Sequence, residues 1–193
     1  EGGMALTNDA ELDKRMRLLS SHGVTRDPEQ LVGEPTGGWY YEQIELGFNY
    51  RMTEMQAALG VSQVTRLDQF INKRHELVES YSSLLSNLPI ELPWTAPDSH
   101  SSFHLYVIRL KLDQLKLSHA EVFQALRDRG IGVNLHYMPV YLQPYYQKLG
   151  FSQGYCPVAE KYSSEVISLP MYPNLSQGDQ VQVCNTLREI LCP

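Results

Sequence analysis

Asn49, Tyr50 and Arg51 stand together just before Thr53, and Gln56 follows three residues after that threonine. Thr53 and Gln56 have the spacing of a capping box, in which hydroxyl and amide satisfy backbone donors that a helix start leaves orphaned. An amide and a guanidinium at such an entrance suit an anionic group, since the exposed N–H groups and the helix dipole favour negative charge there. Guanidinium adds bidentate recognition of phosphate. The same pattern also serves as plain structure, with Arg51 in a salt bridge that fixes the loop. A second candidate pair is His136 and Tyr137, which follow an apolar run at residues 131–135. If that run is a strand, the pair sits at its exit, where open α/β sheets place ligand contacts. A histidine ahead of a Pro-rich turn is equally at home as a satisfied structural residue.

Other chemistries find little support. No Ser-His-Asp order, paired-carboxylate setting or nucleotide-binding glycine loop stands out; Gly130-x-Gly132 is a helix stop followed by an extended run, the reverse of the dinucleotide fingerprint. His100 and His104 stand four apart in Ser-rich surroundings that read as a loop entering a strand, whereas four-apart histidines need a helix to converge on a metal. Cys156, Cys184 and Cys192 match no zinc spacing and read as reduced thiols, which points to the cytoplasm. The formal charge of −6 and the lack of a Lys/Arg cluster argue against nucleic acid as a partner. No apolar run is long enough to span a bilayer.

The elements that must position these residues can be read from caps and periodicity. Met4 to Thr7 predicts a short strand, and Asn8 with Glu11 opens a helix that Gly23 stops. From Val24 to Leu46 runs a long Pro/Gly/aromatic connection, either a flap over the core or a segment that walls a pocket or crosses to a partner subunit. Apolar spacing predicts one helix from Thr53 to about Ser86, long enough to bridge two bodies. A strand over residues 103–112 is expected to be buried on both faces. Ser118 with Glu121 caps a helix that Gly130 ends, the 131–135 strand follows, and Pro157 to Val166 suggests a short helix. Ile167 to Leu169 reads as a strand, and Ser176 with Asp179 caps a final helix to about Leu191. The sum is an α/β chain of ordinary globular composition.

The motif words carry a further signal. Gly47-Phe48-Asn49-Tyr50-Arg51-Met52, then Gln56-Ala57-Ala58-Leu59-Gly60 and Gln63, resembles the sugar aminotransferases of the DegT/DnrJ/EryC1/StrS family. Glu1-Gly2-Gly3-Met4, Ser21-His22-Gly23, the run Gly130 to Tyr141 and Ile167-Ser168-Leu169-Pro170-Met171-Tyr172 resemble it in the same order. The resemblance implies an α/β fold: the C-terminal part of a fold-type-I transferase dependent on pyridoxal 5'-phosphate (PLP). Residues 1–75 would be the end of the large cofactor domain with the start of the bridging helix, and 76–193 the small α/β domain. It implies that the Schiff-base lysine lies upstream of Glu1, so that this chain holds no catalytic residue of its own and is inactive alone, its binding of PLP doubtful.

By the same resemblance Asn49 contacts the cofactor phosphate of the other subunit in a homodimer with shared active sites. Arg51 lies near the nucleotide-sugar diphosphate or the cofactor phosphate, and His136 and Tyr137 face the nucleotide-sugar substrate. Tyr141 and Tyr145 add contacts or pack an interface, and Gly2 and Gly3 allow a close turn beside the lysine strand. Arg26-Asp27-Pro28 and Trp39-Tyr40-Tyr41-Glu42-Gln43 favour the branch that aminates C4 of UDP-linked 4-keto-6-deoxy sugars in pseudaminic acid biosynthesis, with glutamate the expected amino-acid donor. The alternatives are a sugar 3-dehydratase of the same family, with histidine in place of the lysine, and a catalytically silent relative acting as sensor or scaffold.

Overall fold

A computed structural model describes residues 3–192, and the chain divides after Val64 into two compact units. In the first, helix α1 (Ala10–Ser20) starts at Asp9 rather than Asn8: the Asp9 carboxylate accepts from the Glu11 and Leu12 amides at 2.9 and 3.1 Å. The long connection that follows is closed at its base by a two-residue antiparallel ladder. In it β1 (Val24–Thr25) pairs with β2 (Glu42–Gln43) in the register Val24↔Gln43 and Thr25↔Glu42. Glu42 then braces the loop from inside, accepting from the Val32 and Gly33 amides and from the Tyr40 hydroxyl.

The unit ends in α2 (Glu54–Val64), opened by the expected capping box: the Thr53 amide donates to Gln56 Oε1 at 3.0 Å and the Gln56 amide to Thr53 Oγ1 at 3.3 Å. Met4 to Thr7 forms no strand; a strand needs a neighbour for its backbone, and no ladder among the described residues includes it. Gly2 lies outside the described residues, and Gly3 is exposed with nothing close to it.

No residue of α1 or α2 is buried, and Leu6, Val32, Leu46 and Met55 each expose more than 80% of their surface (88%, 91%, 81% and 84%). The apolar surface of this unit is thus largely uncovered.

The predicted continuous helix from Thr53 to Ser86 is two helices. The run stops at Val64, and α3 (Leu67–Leu85) begins after Thr65–Arg66. Two successive β-branched residues, Val64 and Thr65, disfavour helix, and Asp68 in the first turn of α3 suits a new start. The division between compact units falls after Val64, so the whole of α3 belongs to the second unit.

That second unit carries the core. After α3 come β3 (Ile90–Glu91), β4 (Tyr106–Leu110), α4 (His119–Asp128), α5 (Pro144–Gln147), α6 (Pro157–Ser163), β5 (Val166–Leu169) and α7 (Gln177–Leu191). The sheet order is β3-β4-β5, antiparallel throughout, with Tyr106↔Leu169 and Ile108↔Ile167 in register. Tyr106, Ile108 and Leu110 point into the core while Val107 and Arg109 are half exposed. The strand is thus buried on one face and not on two. Leu77, Tyr81 and Leu85 of α3, Val122 and Leu126 of α4, and Val183, Leu187 and Ile190 of α7 complete the cluster. Each fully buried Leu or Ile contributes about 1.5–3 kcal/mol. Capping sets the helix starts as predicted: Ser118 and Glu121 form both halves of a box, and Ser176 accepts from the Asp179 amide.

Residues 131–135 do not form a strand. The Val133 amide turns back onto the Ile131 carbonyl at 2.9 Å, which removes the donor that a ladder would use. What remains is a single bridge, Asn134↔Ser168.

Candidate functional site

The last turn of α1 builds the platform for Asn49. The C-terminal carbonyls of a helix lack partners within it; here Leu19 accepts from the Phe48 amide at 2.7 Å and Ser20 from the Tyr50 amide at 3.0 Å. In return Phe48 accepts from the His22 amide at 2.9 Å, and Ser21 and Asn49 form an isolated bridge. His22 (φ 63°) and Gly23 (φ 68°) both adopt the left-handed conformation, which ends the helix and lets the Gly23 amide reach the Leu18 carbonyl at 2.9 Å. The polar triplet is therefore tied by its backbone to a helix terminus before any side chain acts.

On that platform Arg51 Nε donates to Asn49 Oδ1 at 3.4 Å, and Arg51 Nη2 lies 3.5 Å from His22 Nε2. Among the described residues no carboxylate pairs with Arg51; nearby Glu45 pairs with Arg15. Among the described residues the salt-bridge reading of Arg51 finds no carboxylate partner. Because the Asn49 oxygen is taken, its amide donors are the part left to meet a ligand. A cavity of about 880 Å³ is lined by Tyr50, Arg51, Gln56, Leu59 and Gln63 among others. An exposed amide donor and an exposed guanidinium at a helix entrance are a donor set that fits a phosphate group.

His136 and Tyr137 belong to the other unit and form their own group. His136 Nδ1 lies 2.7 Å from the hydroxyl of buried Ser168, and its ring meets Tyr137 edge-on at 4.6 Å. Ser168 also exchanges both backbone hydrogen bonds with Asn134, so one residue of β5 fixes both the chain before His136 and its ring. With Nδ1 held, Nε2 is the nitrogen open to a ligand. Tyr137 is exposed at 71%.

Tyr141 is not a contact waiting for a ligand. Its hydroxyl donates to Glu160 at 2.6 Å and accepts from the Cys156 amide at 3.1 Å, and burial, ahead of the Glu160 bond, pushes its pKa up. It braces the 141–160 segment. Tyr145 stays exposed and meets Tyr146 edge-on. His100 stacks on His75 at 4.5 Å, and the described residues contain no cluster of three or more His, Cys, Asp or Glu placed to hold a metal.

Two residues carry weight that composition and spacing do not signal as functional. Ser168 is a polar residue inside an otherwise apolar strand, a recognisable oddity. His22 occupies the helix stop before Gly23, where a non-glycine residue at positive φ asks for a reason.

The fold is that of the sugar aminotransferases. PseC of Helicobacter pylori, an aminotransferase involved in the biosynthesis of pseudoaminic acid, superposes with a TM-score of 0.83 at 28% identity, over 96% of this chain and 47% of PseC. The PLP form of the putative sugar aminotransferase Spr1654 from Streptococcus pneumoniae gives 0.82 at 27% identity, over 95% of this chain and 44% of that one. Residues 1–188 match the DegT/DnrJ/EryC1/StrS aminotransferase family, and the chain belongs to it. The spore coat polysaccharide biosynthesis protein SpsC of Bacillus subtilis is 34% identical over 194 residues, 99% of this chain and 50% of SpsC. The chain spans about half the length of the relatives it matches. Among the described residues no helix is long and apolar enough to cross a membrane.

Proposed function

We propose that this chain is the C-terminal half of a PLP-dependent aminotransferase that moves an amino group from an amino acid, glutamate, to C4 of a UDP-linked 4-keto-6-deoxy sugar in pseudaminic acid biosynthesis. The observation that carries the reading is the Arg51–Asn49 contact, which engages the amide oxygen and leaves the Asn49 amide donors beside a guanidinium with no carboxylate partner among the described residues. Family membership and the likeness to PseC support the substrate class.

When bound, PLP supplies the electron sink of transamination; the protein anchors and orients it. Asn49 donates to the cofactor phosphate of a second subunit, and Arg51 holds the diphosphate of the nucleotide sugar. His136 offers Nε2, and Tyr137 its exposed ring and hydroxyl, to the sugar nucleotide. The lysine that anchors the cofactor precedes Glu1. Residues 1–75 are the end of the large domain and 76–193 the small one. The uncovered apolar surface of the first unit supports a homodimer with shared sites, and the enzyme is cytoplasmic.

The test is made on the full-length enzyme. Incubation with the UDP-4-keto-6-deoxy sugar and isotopically labelled glutamate should place nitrogen at C4. Loss of the C3 hydroxyl without nitrogen would make it a dehydratase, and failure to take up PLP would make it a silent relative. Borohydride treatment of the 193-residue chain with PLP should leave no lysyl adduct; stoichiometric labelling of one lysine would overturn the assignment of the anchor upstream.

A further inference from the structure

We infer that His22 is a positioning residue: as a neutral imidazole it holds the Arg51 guanidinium, and through it the face that Asn49 presents to an anion. The inference rests on the reading of Arg51 as an anion ligand. Arg51 carries only donors, so its contact with His22 Nε2 at 3.5 Å is a hydrogen bond only if that nitrogen accepts. The ring must then be neutral with its proton on Nδ1. A charged ring would set two cations side by side, with no carboxylate among the described residues bonded to either.

Three further features of His22 fit this role. Its backbone has φ 63°, a conformation that glycine would adopt at no steric cost. Its amide is spent on Phe48, one residue before Asn49, so the backbone that carries the ring is fixed relative to the triplet it serves. No shape-filling role competes, because His22 is exposed. The chain of contacts runs His22 Nε2, Arg51 Nη2, Arg51 Nε, Asn49 Oδ1.

The conformation provides a clean test. His22→Gly keeps the backbone amide and relieves the positive φ, so the fold should hold or gain stability while the ring is lost. His22→Gln restores an acceptor on a long side chain. In the full-length enzyme, titration calorimetry with UDP should show His22→Gly weakening binding by about two- to tenfold, the loss of one hydrogen bond's orienting effect, and His22→Gln recovering most of it. In the Arg51→Ala background, His22→Gly should add nothing further. If Arg51→Ala binds UDP like the wild type, the anion-ligand reading of Arg51 fails. If Arg51→Ala weakens UDP but His22→Gly does not, or if the two losses simply add, the positioning role is overturned while that reading stands. Recovery by Gln separates an acceptor from mere bulk: no recovery would also count against the inference.

Discussion

Gly23 and Gly47 lie backbone against backbone: a Cβ on Gly47 would come within 2.2 Å of the Gly23 nitrogen, and one on Gly23 within 1.8 Å of the Glu45 carbonyl oxygen. Neither obstacle is a side chain that could swing aside. This contact brings the end of α1 close enough for its carbonyls to receive the amides of Phe48 and Tyr50. Gly47→Ala is expected to cost about 1–3 kcal/mol, the usual range for forcing atoms into a packed site, measured by denaturant unfolding. Gly178→Ala is the control: it sits in the first turn of α7 with only the Ser176 hydroxyl in ordinary contact, and should gain about 0.4–1 kcal/mol.

Asn49→Ala in the full-length enzyme removes a hydrogen bond to a charged acceptor, worth about 1.5–3 kcal/mol. PLP affinity, titrated by absorbance, should fall about ten- to a hundredfold. Arg51→Lys keeps the charge and loses the fork, so the sugar-nucleotide KM should rise more than PLP binding weakens. Unchanged PLP affinity in a folded Asn49→Ala enzyme would remove Asn49 from the cofactor site.

Ser168→Ala deletes the hydroxyl 2.7 Å from His136 Nδ1 while keeping the backbone pair with Asn134. The expected cost is about 0.5–1.5 kcal/mol, with a change in the ring nitrogen resonances of His136 by NMR. Resonances identical to wild type would show that Ser168 does not orient the ring.

Glu42 gives a pH-dependent signature. The Tyr40 hydroxyl bond first, then the Val32 and Gly33 amides, hold its carboxyl below the ordinary carboxylate value. A pKa depressed by folding means that the brace contributes fully above the unfolded value and is lost as pH falls through the lower, folded one. The Val32 and Gly33 amide resonances should therefore titrate together, with a midpoint below about 4.3. In Glu42→Gln, which keeps an acceptor that cannot ionise, they should stay flat; a midpoint above the ordinary range would contradict the brace.

Local signals were readable in proportion to how local they are. The boxes Thr53/Gln56 and Ser118/Glu121 and the cap Ser176 are decided within four residues, and each stands where spacing puts it. The β1–β2 ladder escapes such reading because Val24 and Gln43 are far apart in sequence and each strand has only two residues. At 131–135 the apolar pattern is real, since Ile131 and Val133 are buried, but the backbone donor at Val133 bends inward and the pattern does not become a strand. For the site, residue types flagged Asn49, Arg51 and His136, while their partners His22 and Ser168 became visible only when the chain folded back on itself. The phosphate role of Asn49 came from the motif's resemblance; a capped helix entrance alone is compatible with plain structure.

The ladder Val24↔Gln43 and Thr25↔Glu42 closes the loop of residues 26–41 on itself. Whatever length or sequence lies beyond that clasp, its two ends leave the same pair of backbone positions, enclosed by the Gly23–Gly47 contact that seats Asn49. Doubling the loop would cost only about 0.6 kcal/mol in closure entropy. The segment from Arg26 to Tyr41 is thereby insulated: a change in its length is absorbed beyond the clasp, and the backbone seat of Asn49 stays as it is.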